Sequence, residues 1–383
     1  MKKNLLSVLA AFAITVGFSA SVNATDYTAF NQSTMATPVA AQLGGYLVQL
    51  NSYDQAFQNM DMYMLSPKKV RKSKLAKKLR RNANYVENGE FETNDVDNAS
   101  GIWARPYGTV EHVDLHNGPN PTNHLYGVYV GAESEMKDLG NDWNGKWGVY
   151  GGYNGSHQAA VGNRIFENGG SIGLVGMAYK NDFFIGGTIN VGASGGEAHR
   201  DGAGYHDDEF GMLMAGAAVK TGYNWELADG KFIIQPALQA SYSYVGTFDK
   251  YSGNGTRMDS NPLNAIQIEP GIKFIGNLKN GWQPYAGISF VYTIMDRTHF
   301  WANGVSMPSF SLNPYVKYGF GARKVWGERL TGFAQMYFMN GGRSGFAMMG
   351  GLQYALGKEG NYNVSNAKDP ELSSAKISLN NKK

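Results

Sequence analysis

The residues best suited to acid–base or metal chemistry occur together in one segment, as His199, His206, Asp207 and Asp208. Imidazole and carboxylate groups carry protons or bind transition metals. This segment is a predicted Gly-rich connection, where such side chains are usually solvated. The pair Ser156-His157 does not place a base beside a nucleophile, because successive strand residues point to opposite faces. We therefore predict no catalytic residue, no metal site and no cofactor, and we predict that the protein is not an enzyme.

The elements that would position these residues follow from a hydrophobic period of two, which begins at Gly101. The 50 Gly, 23 Tyr and 19 Phe are typical of many strands with tight turns and aromatic girdles. There is no cysteine, so no disulfide framework closes the fold. Twelve strands are predicted, beginning at Ile102, Leu125, Lys146, Ser171, Phe183, Phe210, Phe232, Ala265, Trp282, Phe310, Leu330 and Gly345. Each has about the length that a tilted strand needs to cross a bilayer.

The two faces of these strands differ in polarity. In the eighth strand, Ile266, Ile268, Ile272 and Phe274 oppose Gln267, Glu269 and Lys273. In the tenth, Phe310, Leu312, Val316, Tyr318 and Phe320 oppose Asn313, Lys317 and Arg323. One face suits lipid and the other suits water. The residues predicted to face a polar lumen are Glu111, Glu269, Lys273, Lys317 and Arg323.

The connections alternate in length. Those after even-numbered strands are mostly tight turns, whereas those after odd-numbered strands are mostly longer, at 114–124, 196–209, 249–264 and 297–309. Short turns on one side and long loops on the other are typical of outer-membrane barrels. In a soluble β-sandwich the inward charges would be buried without partners, at a cost of several kcal/mol each. The pattern therefore predicts an all-β, up-and-down, antiparallel transmembrane barrel over residues 101–356.

The N-terminal hundred residues have a different character. Residues 1–24 are predicted to be a signal peptide, with cleavage after Ala24. Residues 25–37 are expected to be flexible, and an amphipathic helix is predicted from Pro38, broken near Asn51 or Ser52. Its apolar positions are Val39, Leu43, Leu47, Leu50, Phe57, Met60 and Met64.

A second helix is predicted to open at Ser66-Pro67, as N-cap and first helical residue, and to run through residues 68–81, which carry nine of the 34 basic residues. The thin apolar face of this helix leaves three placements open: inside the lumen against inward acids, against anionic lipid head groups, or in solvent. The lumen placement would bring Lys72, Leu75 and Lys78 inside the barrel. A polar linker follows to residue 100, which completes a pre-barrel segment over 25–100, and residues 357–383 form a polar tail.

Seven segments of residues 101–356 follow one another along the strands: SGIWARPYG, YGVYVGAE, WGVYGGYNG, FFIGGTINVGAS, GKFIIQPALQASYSYV, WQPYAGISF and GGLQYAL. Taken in this order, they resemble the translocator domain of bacterial autotransporters. The resemblance implies a twelve-stranded barrel with a helix in its lumen, which anchors and helps export an N-terminal passenger. This sequence departs from the family in its very short predicted passenger and in the tail after Leu356.

The resulting expectation is a surface-exposed barrel in a Gram-negative outer membrane, active in protein secretion. A porin-like pore, open or plugged by a helix, remains the alternative function, and an outer-membrane hydrolase is a further one. The expected partners are outer-membrane lipids, lipopolysaccharide and the barrel-insertion machinery, with no nucleic acid. The barrel is expected to be a monomer.

Overall fold

The computed structural model describes residues 29–58 and 99–356, apart from short stretches within the connections. These stretches are 117, 161, 201–206, 229–230, 249–250, 254–255, 279–280, 297, 303–304, 308–309 and 327–328. The described chain forms one helix followed by twelve long antiparallel strands that close into a barrel. The predicted fold class is confirmed.

The helix α1 spans Ala29–Phe57. The barrel strands are β1 Gly101–Val113, β2 Thr122–Glu133, β3 Trp143–Ala160, β4 Asn163–Lys180, β5 Phe183–Arg200, β6 Asp207–Tyr223, β7 Phe232–Thr247, β8 Leu263–Gly276, β9 Trp282–Asp296, β10 Tyr315–Trp326, β11 Leu330–Gly341 and β12 Arg343–Ala355. Each strand pairs with the next in sequence, and β1 pairs with β12 to close the barrel. Closure leaves no strand edge unpaired, which a membrane-spanning sheet requires.

The outer surface of the wall is apolar because side chains alternate between the two faces of the strands, most regularly in β1 and β4. Ile172, Ile189 and Leu352 point outward and are 58 to 66% exposed. Their inward neighbours are polar or small, so the two faces have the period of two that the sequence predicts. Exposed apolar side chains of this size, repeated around the barrel, suit a lipid environment rather than water.

Tight turns join the strands at one end, here the turn end, where Asn181 and Ala228 adopt positive φ values of 54° and 50°. The opposite end, the loop end, carries most of the longer connections. Two expectations are corrected there. The strand predicted from Ser171 begins at Asn163, and the predicted loop 196–209 is largely strand. Gly-rich polar residues sustain these strands because cross-strand pairing with β3 and β6 continues beyond the apolar belt.

The loop end is covered by short strands that we call the cap: Leu115–His116, Thr256–Ser260, Phe300–Ala302 and Ser311–Leu312. Phe310 and Leu312 were predicted to face lipid, and this is wrong. Both are buried, because the chain before β10 turns inward to pair with Leu115–His116. Phe310 stacks on Phe300 with ring centroids 5.6 Å apart. The cap thus builds an apolar layer over one end of the lumen.

Helix α1 lies within the lumen. It begins at Ala29 and is continuous past Pro38, Asn51 and Ser52, so the predicted start and break are corrected. Its side chains are buried from residue 37 to residue 58, on polar and apolar faces alike, except that of Asp54, which is half-buried. An amphipathic helix normally exposes one face, but here the wall surrounds it. No helix in the described ranges is both long and apolar enough to span a bilayer by itself.

Candidate functional site: the lumen and its helix

Polar side chains of the wall hold α1 in place. The Tyr53 hydroxyl donates a hydrogen bond to the carbonyl oxygen of Tyr242 at 2.7 Å. The amide of Asn190 donates to Ser52 Oγ at 2.5 Å. A buried polar group is costly unless it finds a hydrogen-bond partner, and the inward face of the strands supplies these partners. The polar face of the helix therefore fits this lumen, and Ser52 bonds to the wall instead of breaking the helix.

Contacts at its two ends fix the direction of the helix. Near its N-terminal half, Gln42 Nε2 donates to Ser260 Oγ at 3.2 Å and to the Asn261 carbonyl oxygen at 2.8 Å, both at the loop end. After its C-terminal residue, Gln58 Nε2 donates to Gln335 Oε1 at 3.1 Å, within the wall. The chain therefore runs from the loop end toward the turn end as it passes through the lumen.

A charged group at the turn end, the turn-end cluster, consists of Arg105, Glu133 and Lys146. Glu133 lies 3.6 Å from Arg105 Nη2 and 3.2 Å from Lys146 Nζ, and the side chains are at most 2% exposed. Arg105 also donates to the Gln55 carbonyl oxygen of α1. Lys146 donates to the Ala99 carbonyl oxygen at 3.0 Å. The cluster therefore joins the helix, the wall and the residue that leads into β1.

A second ion group joins α1 to the opposite wall. Lys317 Nζ lies 3.2 Å from Asp54 of the helix and 2.7 Å from Glu269 of β8. Ser289 Oγ donates to Glu269 at 2.7 Å. A charge-assisted contact in a partly enclosed lumen is stronger than the same contact in bulk water. The helix is therefore fixed by charge on two sides.

A third ion group lies in the wall toward the loop end, between β1 and β12. Arg343 donates from Nε and Nη2 to the two carboxylate oxygens of Glu111, at 2.5 and 3.0 Å. Its Nη1 donates to the Tyr315 hydroxyl at 3.0 Å, and Asn123 donates to Glu111 at 3.0 Å. This two-point contact crosses the strand pair that closes the barrel.

The remaining predicted lumen residues sit apart from these groups. Lys273 Nζ lies 5.5 Å from the ring centroid of Tyr285, and Arg323 donates to Gln283 Oε1 at 2.8 Å. The five residues predicted to face the lumen all lie on the inward side of the wall, but the structure does not bring them together. Among them, Glu269 and Lys317 are in direct contact.

Sequence reasoning missed Arg105, Glu133 and Arg343. Arg105 and Glu111 are six residues apart in β1, so their side chains point to the same face of the strand. The alternation in β1 was therefore sufficient to place Arg105 in the lumen. Arg343 precedes the predicted start of the last strand at Gly345, so it was taken for a connection. The pairing of Arg105 and Glu133 across two strands has no signal in a single sequence.

Gly44 lets α1 approach the wall closely in the half of the helix that lies toward the loop end. A Cβ added at Gly44 would lie 2.2 Å from Oε2 of Glu167 and 2.5 Å from Nε2 of Gln158. Gln158 bridges the two elements, since its Nε2 donates to the Ala40 carbonyl oxygen at 2.7 Å and lies 3.3 Å from Glu167. A larger residue at this position would displace the ends of the buried Glu167 and Gln158 side chains.

The helix leaves little free volume in the lumen. One cavity of about 160 Å³ lies beside its C-terminal end and is lined by Asp54, Gln58, Lys220 and Lys273, among others. Another, of about 20 Å³, lies between Asp54 and Arg343. The larger cavity has room for water molecules beside the helix.

Of the four histidine and aspartate residues singled out from the sequence, the structure describes the side chain of His199. His199 lies 3.6 Å from Glu197 and packs edge-on against Phe166. Asp207 is opposite His199 in the β5–β6 register, and His206 lies outside the described residues. Within the described part of the chain, no group of three or more His, Cys, Asp or Glu residues is arranged to hold a metal ion. Ala24, Lys72, Leu75, Lys78, Met60 and Met64 also lie outside the described residues.

Comparison with known families identifies the fold. The sequence pattern of the autotransporter β-domain matches residues 102–336, which is more than half of the chain. The protein belongs to this family. It is an outer-membrane translocator barrel, and the Gram-negative outer membrane is the location of such barrels. In autotransporter barrels, as in other outer-membrane barrels, the short turns face the periplasm and the longer loops face outward.

Solved autotransporter domains share this fold. The β domain of the Bordetella autotransporter BrkA aligns with a TM-score of 0.57 at 16% identity, covering 67% of this chain and 99% of that one. The transport unit of AIDA-I from Escherichia coli gives 0.57 at 20% identity, covering 71% and 99%. The translocator domain of NalP from Neisseria meningitidis gives 0.51 at 12% identity, covering 74% and 96%. Comparison with curated proteins gave no match.

Proposed function

We propose that this autotransporter barrel carries the chain N-terminal to α1 to the outer face of the membrane and then retains α1 as a plug. The direction of the helix carries the proposal, because Gln42 contacts Ser260 and Asn261 at the loop end. A 29-residue helix is about 44 Å long at about 1.5 Å per residue. That length exceeds the hydrocarbon core of a bilayer, about 30 Å, so the helix reaches through the barrel and brings Ala29 outside.

The same proposal includes the features that the sequence predicts. Export begins with the signal peptide that ends at Ala24, and the segment displayed outside is short. The barrel meets outer-membrane lipids and lipopolysaccharide, is inserted by the barrel-insertion machinery, binds no nucleic acid or cofactor, and acts as a monomer. Its polar groups in the lumen bind the helix and do not perform catalysis, so the protein is not an enzyme.

An epitope tag inserted directly before Ala29 tests the display of the N-terminal segment. We expect antibody to label intact cells as strongly as it labels cells whose outer membrane has been opened. A matched tag in the turn that follows β6, between Leu227 and Phe232, reports the periplasmic side and is labelled only after opening. Labelling of the first tag only after opening, at equal expression, would contradict outward display.

A passive pore is the second candidate function. The helix in the lumen is evidence against it, because it leaves less space for solutes to pass. The polar lining favours water, but α1 occupies the lumen, and its Tyr53 and Ser52 side chains are hydrogen-bonded to the wall. The barrel in its helix-filled state is therefore closed to solutes.

A further inference from the structure

A row of ring side chains crosses the outer surface of β2, β3 and β4 beyond the apolar belt. His124 and His157 are directly opposite each other in the β2–β3 register, and His157 is opposite Phe166 in β4. The two imidazole centroids are 6.0 Å apart. On its other side, His157 stacks on Phe166 with a centroid distance of 4.3 Å. The translocator function assigns no role to this pair of histidines, which faces away from the lumen.

The spacing of the two imidazole rings is close to what a shared metal ion requires. A nitrogen ligand lies about 2.0–2.1 Å from zinc, which places each ring centroid about 3.2 Å from the metal. Two imidazoles on one ion therefore have centroids about 4.5–5.2 Å apart at ligand angles of about 90–109°. The observed separation of 6.0 Å is wider than that range, so the two side chains have to move closer together by about 1 Å to share one ion.

The His157 side chain provides a second observation. Its Nε2 atom is enclosed by neighbouring groups and has no hydrogen-bond partner among the described residues. An enclosed ring nitrogen without a partner is unusual, since most buried polar atoms are paired. His124 is exposed and stands on the side of His157 that Phe166 leaves open.

We propose that His124 and His157 form a surface site for a divalent transition metal of the zinc, copper or nickel type. Imidazole is a preferred ligand of these ions, whereas calcium and magnesium prefer oxygen. With two protein ligands the ion keeps water in its other positions and exchanges with solvent. An ion bound there links β2 to β3 beyond the membrane face. The site lies near the connection that leads from the cap strand Leu115–His116 into β2.

Copper binding to the folded, tag-free full chain in detergent tests the site, at mildly alkaline pH where imidazole is neutral. We expect one Cu²⁺ per chain and an electron paramagnetic resonance spectrum with splitting from two imidazole nitrogens. His124→Gln and His157→Gln each lose this two-nitrogen signal. His299→Gln, which alters a histidine in the cap region, keeps it.

Binding to the histidine pair also has to be selective. Excess Ca²⁺ should leave the copper spectrum unchanged, whereas Zn²⁺ should compete for the site. The proposal is overturned if the folded chain shows no two-nitrogen spectrum, or if that spectrum persists in both His124→Gln and His157→Gln. Either result on the folded protein leaves the translocator function untouched, because the lumen and α1 are not involved.

Discussion

At the scale of single residues, buried charges link the helix to its barrel. The turn-end cluster holds two cations around the Glu133 carboxylate, with side chains at most 2% exposed. Removing one partner of a buried pair leaves an uncompensated charge, which costs more than the intact pair contributes. Arg105 and Lys146 also bond to the carbonyl oxygens of Gln55 and Ala99. The cluster therefore stabilises both the barrel and the seating of α1.

Glu133→Gln is expected to lower the free energy of unfolding of the barrel by about 3 kcal/mol. The amide keeps the size of the side chain but removes the charge that balances Arg105 and Lys146. Denaturant unfolding of the purified barrel in detergent measures the change. Glu135→Gln, at an exposed position in the connection that follows β2, serves as the control and should change stability by less than about 0.5 kcal/mol. Equal stability of the two variants would show that the cluster is not a stabilising feature.

At Gly44, the close approach of the helix to the wall limits the size of the side chain that fits. Gly44→Leu is expected to destabilise the seated helix by about 2 kcal/mol, because its side chain would overlap Glu167 and Gln158. The readout is cleavage of α1 by chymotrypsin at Tyr46 or Tyr53 in folded barrels, which should become faster. Gly44→Leu combined with Glu167→Ala opens space and should recover part of the protection. Unchanged cleavage in Gly44→Leu would mean that the helix does not pack against β4.

At the scale of elements, the strands were more predictable than the helix. All twelve strands follow from the alternation of polar and apolar residues, since lipid on one side and a polar lumen on the other impose a period of two. The extensions of β4 and β5 beyond the apolar belt were missed. Residues such as Asn168 and Gly195 have no apolar face there, and cross-strand pairing alone keeps them in strands.

The course of α1 depends on its surroundings. Pro38 indicated a helix start. The helix instead begins at Ala29 and tolerates Pro38 in its interior, and the wall supplies partners for polar side chains such as Ser52 and Tyr53. The burial of Phe310 and Leu312 was missed for a similar reason, because the pairing of Ser311–Leu312 with Leu115–His116 joins segments far apart in sequence. Such contacts leave no local pattern.

Removing α1 is expected to open the barrel. A chain lacking residues 29–58 should give stable single-channel currents in planar bilayers, because the lumen lined by Gln239, Glu269 and Lys317 would fill with water. The full chain should give little current, since α1 occupies the lumen and its side chains are buried against the wall. Equal conductance of the two chains, both verified as folded, would contradict a helix plug.

At the scale of the whole molecule, the two ends of the barrel differ, because the cap covers the loop end and packs on the helix there. Phe300, Phe310 and Leu312 of the cap region share one apolar cluster with Val39 and Leu43 of α1. The cap therefore packs on the helix where the helix leaves the lumen, and the ion groups hold the helix deeper in the barrel. This arrangement keeps the N-terminal end of α1 at the outer surface.

The direction of the helix is the central claim, and disulfide cross-linking in native outer membranes tests it most directly, because the chain has no cysteine of its own. Gln42→Cys with Ser260→Cys should form a disulfide, since the two side chains are in contact at the loop end. Gln58→Cys with Ser260→Cys should not, because Gln58 contacts Gln335 within the wall. Cross-linking of the second pair and not the first would mean that the helix runs in the opposite direction and that its N-terminal end faces the periplasm.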